Sequence, residues 1–481
     1  MLPSRTRYGV IVFAVTLAIL SYIDRVAISK AAPMISDDLG LTKTEMGRVF
    51  SSFAIAYALA EIPGGWLGDY LGPRKVLMRI VIWWSFFTAS AGWMWSGTAL
   101  RINQFLFGAG EAGGFPNLTK SFTTWLQPHE RVRAQGIMWM SARWGGAFTP
   151  LVTALILQVV HWRVAFAIFA CLGVIWAILF FRWFRDNPKD HPKVNEAEWK
   201  LLEQNQKNLS AKQGPLPWGR VFVIFLPLMG GLLFQLFDWR IAVAVIVAAL
   251  AIWLLFFRKK SSSAPAEAGE HDVPWGKLVT TPAILLLWAQ YFLVTYPWYF
   301  YITWLSTYLR EHRGITNDIT SGLYAIFPLF FGGVGCIFSG FLLPRVARMA
   351  GDMNRARKVT ATIGFLGGAV FLILCIQLKD PLYGMLAMGM ASFCNDLTMP
   401  CAWGACMDIG GKYAGTVSGS MNMMGNLAGF VAPQVGGIIV DRTGGNYDLF
   451  IYTMALSYFL GAFTWPFLNS TKPLEEAEAA H

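Results

Sequence analysis

The sequence predicts an all-α polytopic membrane protein of two six-helix halves, with an inserted two-helix hairpin between them. Three observations point there. Hydrophobic residues fill 55% of 481 positions and charged residues only 14%, against roughly 25% charged in soluble domains. Apolar runs of about 17 to 25 residues recur along the chain, each long enough to cross roughly 30 Å of hydrocarbon as a helix. The connecting loops are also asymmetric in charge, with roughly 26 Lys and Arg in one alternating set and about 10 in the other. A net charge of +11 therefore reads as sidedness and not as a nucleic-acid surface, because the basic residues alternate with the crossings.

The first apolar run, 8–28, is too long for a signal peptide, has no small-residue cleavage site and contains Asp24 and Arg25; it is expected to be a retained helix. Hydropathy places spans near 8–29, 45–68, 76–96, 100–122, 135–160 and 163–184. A charged, helix-prone segment follows to about residue 212, and six further spans lie near 281–308, 318–343, 359–378, 381–405, 413–440 and 447–468. Between the sixes stand two more apolar runs, 221–237 and 241–257, joined at Asp238-Trp239-Arg240 and followed by a Ser/Ala/Pro-rich stretch. Their flanks repeat: Leu216-Pro217-Trp218-Gly219-Arg220 before, Val273-Pro274-Trp275-Gly276-Lys277 after. A spanning hairpin gives about 14 transmembrane helices and preserves the sidedness downstream, although its runs are short and one holds Pro227; a hairpin lying in the interface is the alternative.

The predicted organisation is a six-helix half at 1–184, a linker with its hairpin at 185–276 and a second six-helix half at 277–481. Arg5, Arg7, Arg74, Lys75, Arg131, Arg133 and the basic stretches 182–220 and 345–358 fall on the side read as cytoplasmic. The expectation is a multi-pass, monomeric protein of the cell inner membrane with both termini inside. The six cysteines lie in apolar runs or at their edges without a CxxC, so they read as buried thiols and neither disulfides nor a metal site is expected. No P-loop, Ser/His/Asp set or HExxH occurs, so neither an enzyme nor a cofactor is indicated.

After the second span stands Gly65-Trp66-Leu67-Gly68-Asp69-Tyr70-Leu71-Gly72-Pro73-Arg74-Lys75. Its G-x3-D-x2-G-x-R/K spacing resembles the signature loop of the major facilitator superfamily, in which two halves enclose one site at mid-membrane. Gly65 permits close helix contact and Gly72 a tight turn. Asp69, with Arg74 nearby, is expected to latch this half to the other. The corresponding loop at 340–358 has Pro344 where an acid would stand, so the latch is expected to be one-sided.

Ionisable residues inside spans are costly unless they line a cavity or find partners. Asp24 and Arg25 lie in the first span, with Asp24 about 24 Å along it from residue 8. Glu111 sits among glycines in Gly108-Ala109-Gly110-Glu111-Ala112-Gly113-Gly114-Phe115-Pro116. Glu61 lies one turn after Tyr57, on the face expected to line the lower cavity. Asp396 in the tenth span reads equally as a titrating site or a satisfied polar contact. Tyr296, Trp298 and Tyr301 share roughly one face of the seventh span and are candidates for stacking on a sugar-like ring, with helix packing the plainer outcome for any one of them.

These residues, with Ile62-Pro63-Gly64-Gly65-Trp66, Ser418-Gly419, Asn422 and Gly425-Asn426, make the chain similar to the anion:cation symporter family of that superfamily. That family includes bacterial hexuronate, galactonate and glucarate transporters and animal sialic-acid and vesicular glutamate carriers. The resemblance runs through all twelve core spans but not the hairpin. It implies that Asp24 and Glu111 carry protons, that Arg25 and Tyr57 hold the substrate carboxylate, and that Asn422 binds substrate hydroxyls. One departure stands out: the family's arginine seven residues before the helix-4 glutamate is Gln104 here. Arg143, about nine residues into the fifth span, is the candidate replacement, either as a second anion anchor or as the partner of Glu111; snorkelling to the cytoplasmic face is the alternative. The resulting expectation is symport of a small organic anion, a sugar acid such as a hexuronate or aldonate, with protons, sodium remaining open. A drug/proton antiporter of the same fold is the rival, and a non-transporting membrane sensor a remote one.

Overall fold

A computed structural model describes residues 2–41, 43–208 and 273–474. The expected hairpin at 221–257, and with it most of the linker, lies outside the described residues. In the first half, helices α1 (Gly9–Leu39), α2 (Lys43–Leu71), α3 (Pro73–Ala91), α4 (Gly97–Glu111), α5 (Gly114–Trp125), α6 (Pro128–Leu157) and α7 (Trp162–Trp183) follow one another, and α8 (Glu196–Leu202) begins the linker. The second half contains α9 (Trp275–Thr280), α10 (Pro282–Thr303), α11 (Leu305–Glu311), α12 (Asp318–Ala350), α13 (Met353–Gln377), α14 (Pro381–Leu397), α15 (Met399–Gly410), α16 (Ala414–Arg442), α17 (Tyr447–Ala462) and α18 (Thr464–Phe467).

Several spans expected as single helices are interrupted. The fourth breaks between α4 and α5, where Gly113 adopts φ 83°, a left-handed conformation that glycine enters without steric penalty. The tenth breaks at Thr398 between α14 and α15, two residues before Pro400, whose ring excludes a regular helical bond to the preceding turn. The seventh breaks at Trp304. By contrast, α12 runs continuously through Pro328 and Pro344.

Apolar stripes explain the outer surface. Ile168, Leu172, Ile175 and Leu179 recur at spacings of three and four along α7 and are all exposed, as are Ile363, Leu366, Val370 and Ile373 on α13. Such faces suit lipid rather than water. Cys171 also lies on this outer surface of α7, whereas the other five thiols are buried; the reading of all six as buried thiols is corrected there. Seven helical stretches among the described residues are long and apolar enough to cross a membrane by length and composition.

Within the first half α1 packs on α6, α2 on α4 and α3 on α7; within the second, α12 packs on α14, α13 on α14 and α17, and α10 on α16. The halves meet mainly along two pairs, α2 with α16 and α6 with α12. Both ends of the described chain lie at one end of the bundle. Arg7 pairs there with Glu130 at the start of α6 and Glu198 of α8, and the Leu474 amide donates to the Ile409 carbonyl.

Candidate functional site

The halves are sealed at the end that carries the termini. Gly65 lies against Gly415, and a Cβ at position 415 would fall 2.6 Å from the Gly65 carbonyl oxygen, so the two backbones touch only because both residues lack one. Beside this contact, Asp69 of α2 reaches the first turn of α16. It accepts from the amides of Gly415 at 3.0 Å and Thr416 at 2.6 Å, and from the Thr416 hydroxyl at 2.7 Å. A helix's first amides lack partners in their own helix and carry positive potential. Asp69 therefore caps a helix of the opposite half. Lys120 of α5 stands 3.4 Å from Asp69 and donates to the Lys412 carbonyl.

Other members of the signature loop stay within the first half. Gly72 takes φ 83° at the turn into α3. The Arg74 amide donates to Asp186 at 2.9 Å and its guanidinium to the Phe181 carbonyl at 2.8 Å. Burial pushes the Asp186 carboxyl up from its ordinary value, against the opposing pull of Arg74 and Lys75. The second half does supply an acid to the seal, from a place the loop comparison did not indicate. Asp408 near the end of α15 pairs with Arg357 at 2.7 Å and stands 3.8 Å from Arg131 of the first half. Its signal in sequence was only an acid near a helix end, which many loops share.

Inside the seal lies a central cavity. Arg25, Tyr57, Arg143, Trp298 and Asn422, all singled out in the sequence, line it together with Tyr22, Trp139 and Tyr299. Arg25 donates to Glu111 at 2.7 Å, and Ser21, one turn earlier on α1, donates to the same carboxylate oxygen. The guanidinium lies 4.3 Å from the Tyr57 ring centroid and within 6 Å of those of Phe53, Tyr22 and Phe115. Glu111 is almost fully buried, whereas a fifth of the Arg25 side chain is exposed.

Three carboxylates near the cavity keep oxygens outside the hydrogen-bond network of the described residues. Both oxygens of Asp24, one of Glu61 and one of Glu111 are buried without a hydrogen-bond partner. The other Glu61 oxygen accepts from the Asn422 amide of α16 at 2.6 Å, across the two halves. Asp24 and Gln104 are buried but do not line the cavity.

Arg143 is neither the partner of Glu111 nor a snorkelling side chain, and both expectations are corrected. Its side chain is 3% exposed, and it grips Asp396 of α14 with Nε at 2.7 Å and Nη2 at 3.0 Å. The fork shape of guanidinium matches a carboxylate in this way, and Asn395 donates to the same carboxylate at 2.7 Å. Glu111 is paired with Arg25 instead.

Of the three aromatic residues expected on one face of the seventh span, only Trp298 reaches the cavity. Tyr291, Thr295, Trp298 and Tyr299 of α10 reach the cavity. Tyr296 instead meets the Thr453 hydroxyl at 3.2 Å, and Tyr301 is buried away from the cavity. Tyr299 donates to Asn426 at 3.0 Å, and Trp403 donates to Tyr291 at 3.1 Å beneath the cavity. Residues at i, i+4, i+7 and i+8 share one helix face, which places 291, 295, 298 and 299 together.

Comparison with known proteins agrees with this architecture. The description of the Major Facilitator Superfamily matches residues 14–225 and 219–433. A probable sulfoacetate transporter of Cupriavidus necator is 31% identical over 97% of this chain and 94% of its own length. A hexuronate transporter of Bacillus subtilis is 25% identical over 95% and 93%, and a D-galactonate transporter of Escherichia coli O6:H1 26% identical over 92% and 91%. Among solved structures, a human organic anion transporter superposes with a TM-score of 0.64 at 14% identity, covering 97% of this chain and 100% of that one. A proton:xylose symporter superposes at 0.66 and 11% identity, covering 97% and 96%; at such identities the likeness concerns the fold alone. With the superfamily matched over most of the chain, and with a probable sulfoacetate transporter, a hexuronate transporter and a D-galactonate transporter as relatives along nearly its whole length, this chain belongs to the Major Facilitator Superfamily, a family of transporters and not of enzymes.

Proposed function

We propose that the chain is a proton-coupled symporter of a small organic anion of the sugar-acid class, such as a hexuronate or aldonate. In this reading it lies in the inner membrane with both termini cytoplasmic and is held here with its cytoplasmic end shut. One observation carries the coupling: the bundle centre holds four buried carboxylates, Asp24, Glu61, Glu111 and Asp396, against two guanidiniums, Arg25 on Glu111 and Arg143 on Asp396. With every group ionised that centre is net negative and repels an anion. Substrate enters only as carboxylates take up protons, and by linkage each bound proton raises anion affinity and each anion raises proton affinity.

Arg25, ringed by aromatic faces, would receive the substrate carboxylate as Glu111 releases it, with Tyr57 beside it. Glu111 and Asp24 would take the protons; their open oxygens support this assignment. Asn422 would exchange Glu61 for a substrate hydroxyl, while Trp298 and Tyr299 flank the carbon skeleton. Two arginines at the cavity wall disfavour the cationic cargo of a drug antiporter.

The reading is tested by thermal unfolding of purified protein against a panel of sugar acids, since a ligand that binds only the folded state raises Tm. Stabilisation by acids is expected; stabilisation by cationic drugs alone would overturn the anion assignment. In proteoliposomes with a proton gradient and no sodium, wild type should accumulate the identified acid. Glu111→Gln should retain counterflow exchange and lose pH-driven accumulation; retained accumulation removes Glu111 from the coupling.

A further inference from the structure

We infer that Arg143 and Asp396 form a second anion-and-proton unit, so that the cargo is a short organic diacid whose two anionic groups engage Arg25 and Arg143 together. This rests on the organic-anion reading above and narrows it.

The geometry of Arg143 leaves one edge for a ligand. Nε and Nη2 hold Asp396, which is fully buried and outside the cavity lining, while Nη1 points to the Tyr22 hydroxyl at 3.4 Å on the cavity wall. Guanidinium has two usable edges, and a carboxylate on one does not fill the other. Trp298 at 4.7 Å and Trp139 at 5.8 Å hold the group in place and shield it from water. Tyr22 links the two cationic points: its hydroxyl faces Arg143 and its ring lies 5.6 Å from the Arg25 guanidinium carbon. A single tyrosine side chain thus separates the two arginines along one wall, a span that a short carbon chain with an acid at each end can bridge.

The two units differ in topology. Arg25 and Glu111 belong to one half, whereas Arg143 of α6 and Asp396 of α14 join the halves. An acid group arriving at Arg143 therefore draws on a contact between the halves. The arriving acid and Asp396 then share one buried guanidinium, and one proton taken up with the ligand restores the charge balance of that unit. The other titratable groups acting on Asp396 are the Cys336 thiol of α12 and, through space, Tyr301 of α10 and Tyr458 of α17. None of these supplies a replacement cation.

The test uses the purified full chain and acids matched in carbon number: succinate against butyrate, and glucarate against gluconate. Binding and proton uptake are read by calorimetry in buffers of different ionisation enthalpy. Wild type should bind each diacid at least about tenfold tighter than its matched monoacid and take up one more proton with it. In the double variant Arg143→Gln/Asp396→Asn, which leaves no lone buried charge, the ratio of diacid to monoacid affinity should fall below about twofold and the extra proton should disappear, whatever the absolute affinity for either acid. Equal binding of monoacid and diacid by wild type, which needs no variant, overturns the inference and leaves the anion reading standing. So does a double variant that keeps both the preference and the extra proton. A chain that binds no acid of either kind overturns the anion reading itself.

Discussion

Asp69→Asn should open the end of the bundle that carries the termini. The wild-type carboxylate accepts three hydrogen bonds from the start of α16, at 3.0, 2.6 and 2.7 Å. Bonds to a charged acceptor contribute about 1.5–3 kcal/mol each, and a negative charge at a helix start adds about 0.3–1 kcal/mol. Asparagine keeps one acceptor oxygen, without charge, and turns an NH2 group toward donors. The net loss is about 2–4 kcal/mol, or roughly 30- to 900-fold in the ratio of closed to open states. Spin labels at Arg182 and Arg355, exposed positions at the termini end of α7 and α13 in opposite halves, read the result by pulsed dipolar distances, with the exposed Cys171 first replaced by serine. A single short distance is expected in wild type and a dominant longer population in Asp69→Asn. Arg74→Gln, whose guanidinium contacts lie within its own half, should keep the short distance. An Asp69→Asn distribution identical to wild type would refute the cross-half cap as the latch.

Further outcomes follow from the same contacts. Gly415→Ala places a methyl group 2.6 Å from the Gly65 carbonyl oxygen; uptake should fall at least tenfold while expression stays near normal, as measured by initial rates in vesicles. Asn422→Ala removes the donor to Glu61 and should cost about 1–3 kcal/mol, read as a lower Tm at neutral pH, with the deficit shrinking as acid protonates the orphaned carboxyl. Asp186 has its folded pKa raised above the ordinary 3.8 by burial, so its contribution to stability is greatest at low pH and is lost as pH rises through the folded value. Asp186→Asn keeps an acceptor for the Arg74 amide; it should unfold at a higher temperature than wild type at about pH 8, and the gap should close toward about pH 4.

How far the sequence reached depended on the range of each interaction. Asp69 was legible because a loop motif packs its glycine, acid and turn into eleven consecutive positions. Arg25 and Glu111 were legible as candidates because charge inside an apolar run is rare, whatever it touches. Their pairing with each other was not, and Arg143 shows why: its partner Asp396 lies 253 residues away, and only the packing of α6 against the second half brings them together. Helix rotation was equally hidden. Tyr296 and Tyr301 were grouped with Trp298, yet at about 100° per residue Tyr296 stands on nearly the opposite side of α10 from Trp298, and aromatic residues on every side of that helix give no amphipathic cue. The break after Glu111 was written in Gly113 and Gly114, yet two glycines in a membrane span serve close packing as readily as a turn.

The smooth contact between α2 and α16 bears on how quickly the halves can move. At Gly65, Gly415 and Gly419 backbone faces backbone, and a Cβ at 419 would fall 2.6 Å from the Glu61 carbonyl. Interlocked side chains would resist sliding, because each must leave its groove before the next can be entered. Bare backbone surfaces have no such teeth, so this seam can act as a bearing along which one half pivots with little friction. The barrier to turnover would then be concentrated in a few separable polar contacts, at Asp69, at Asn422 with Glu61, and at Arg143 with Asp396. A substrate and its protons can address such contacts one at a time.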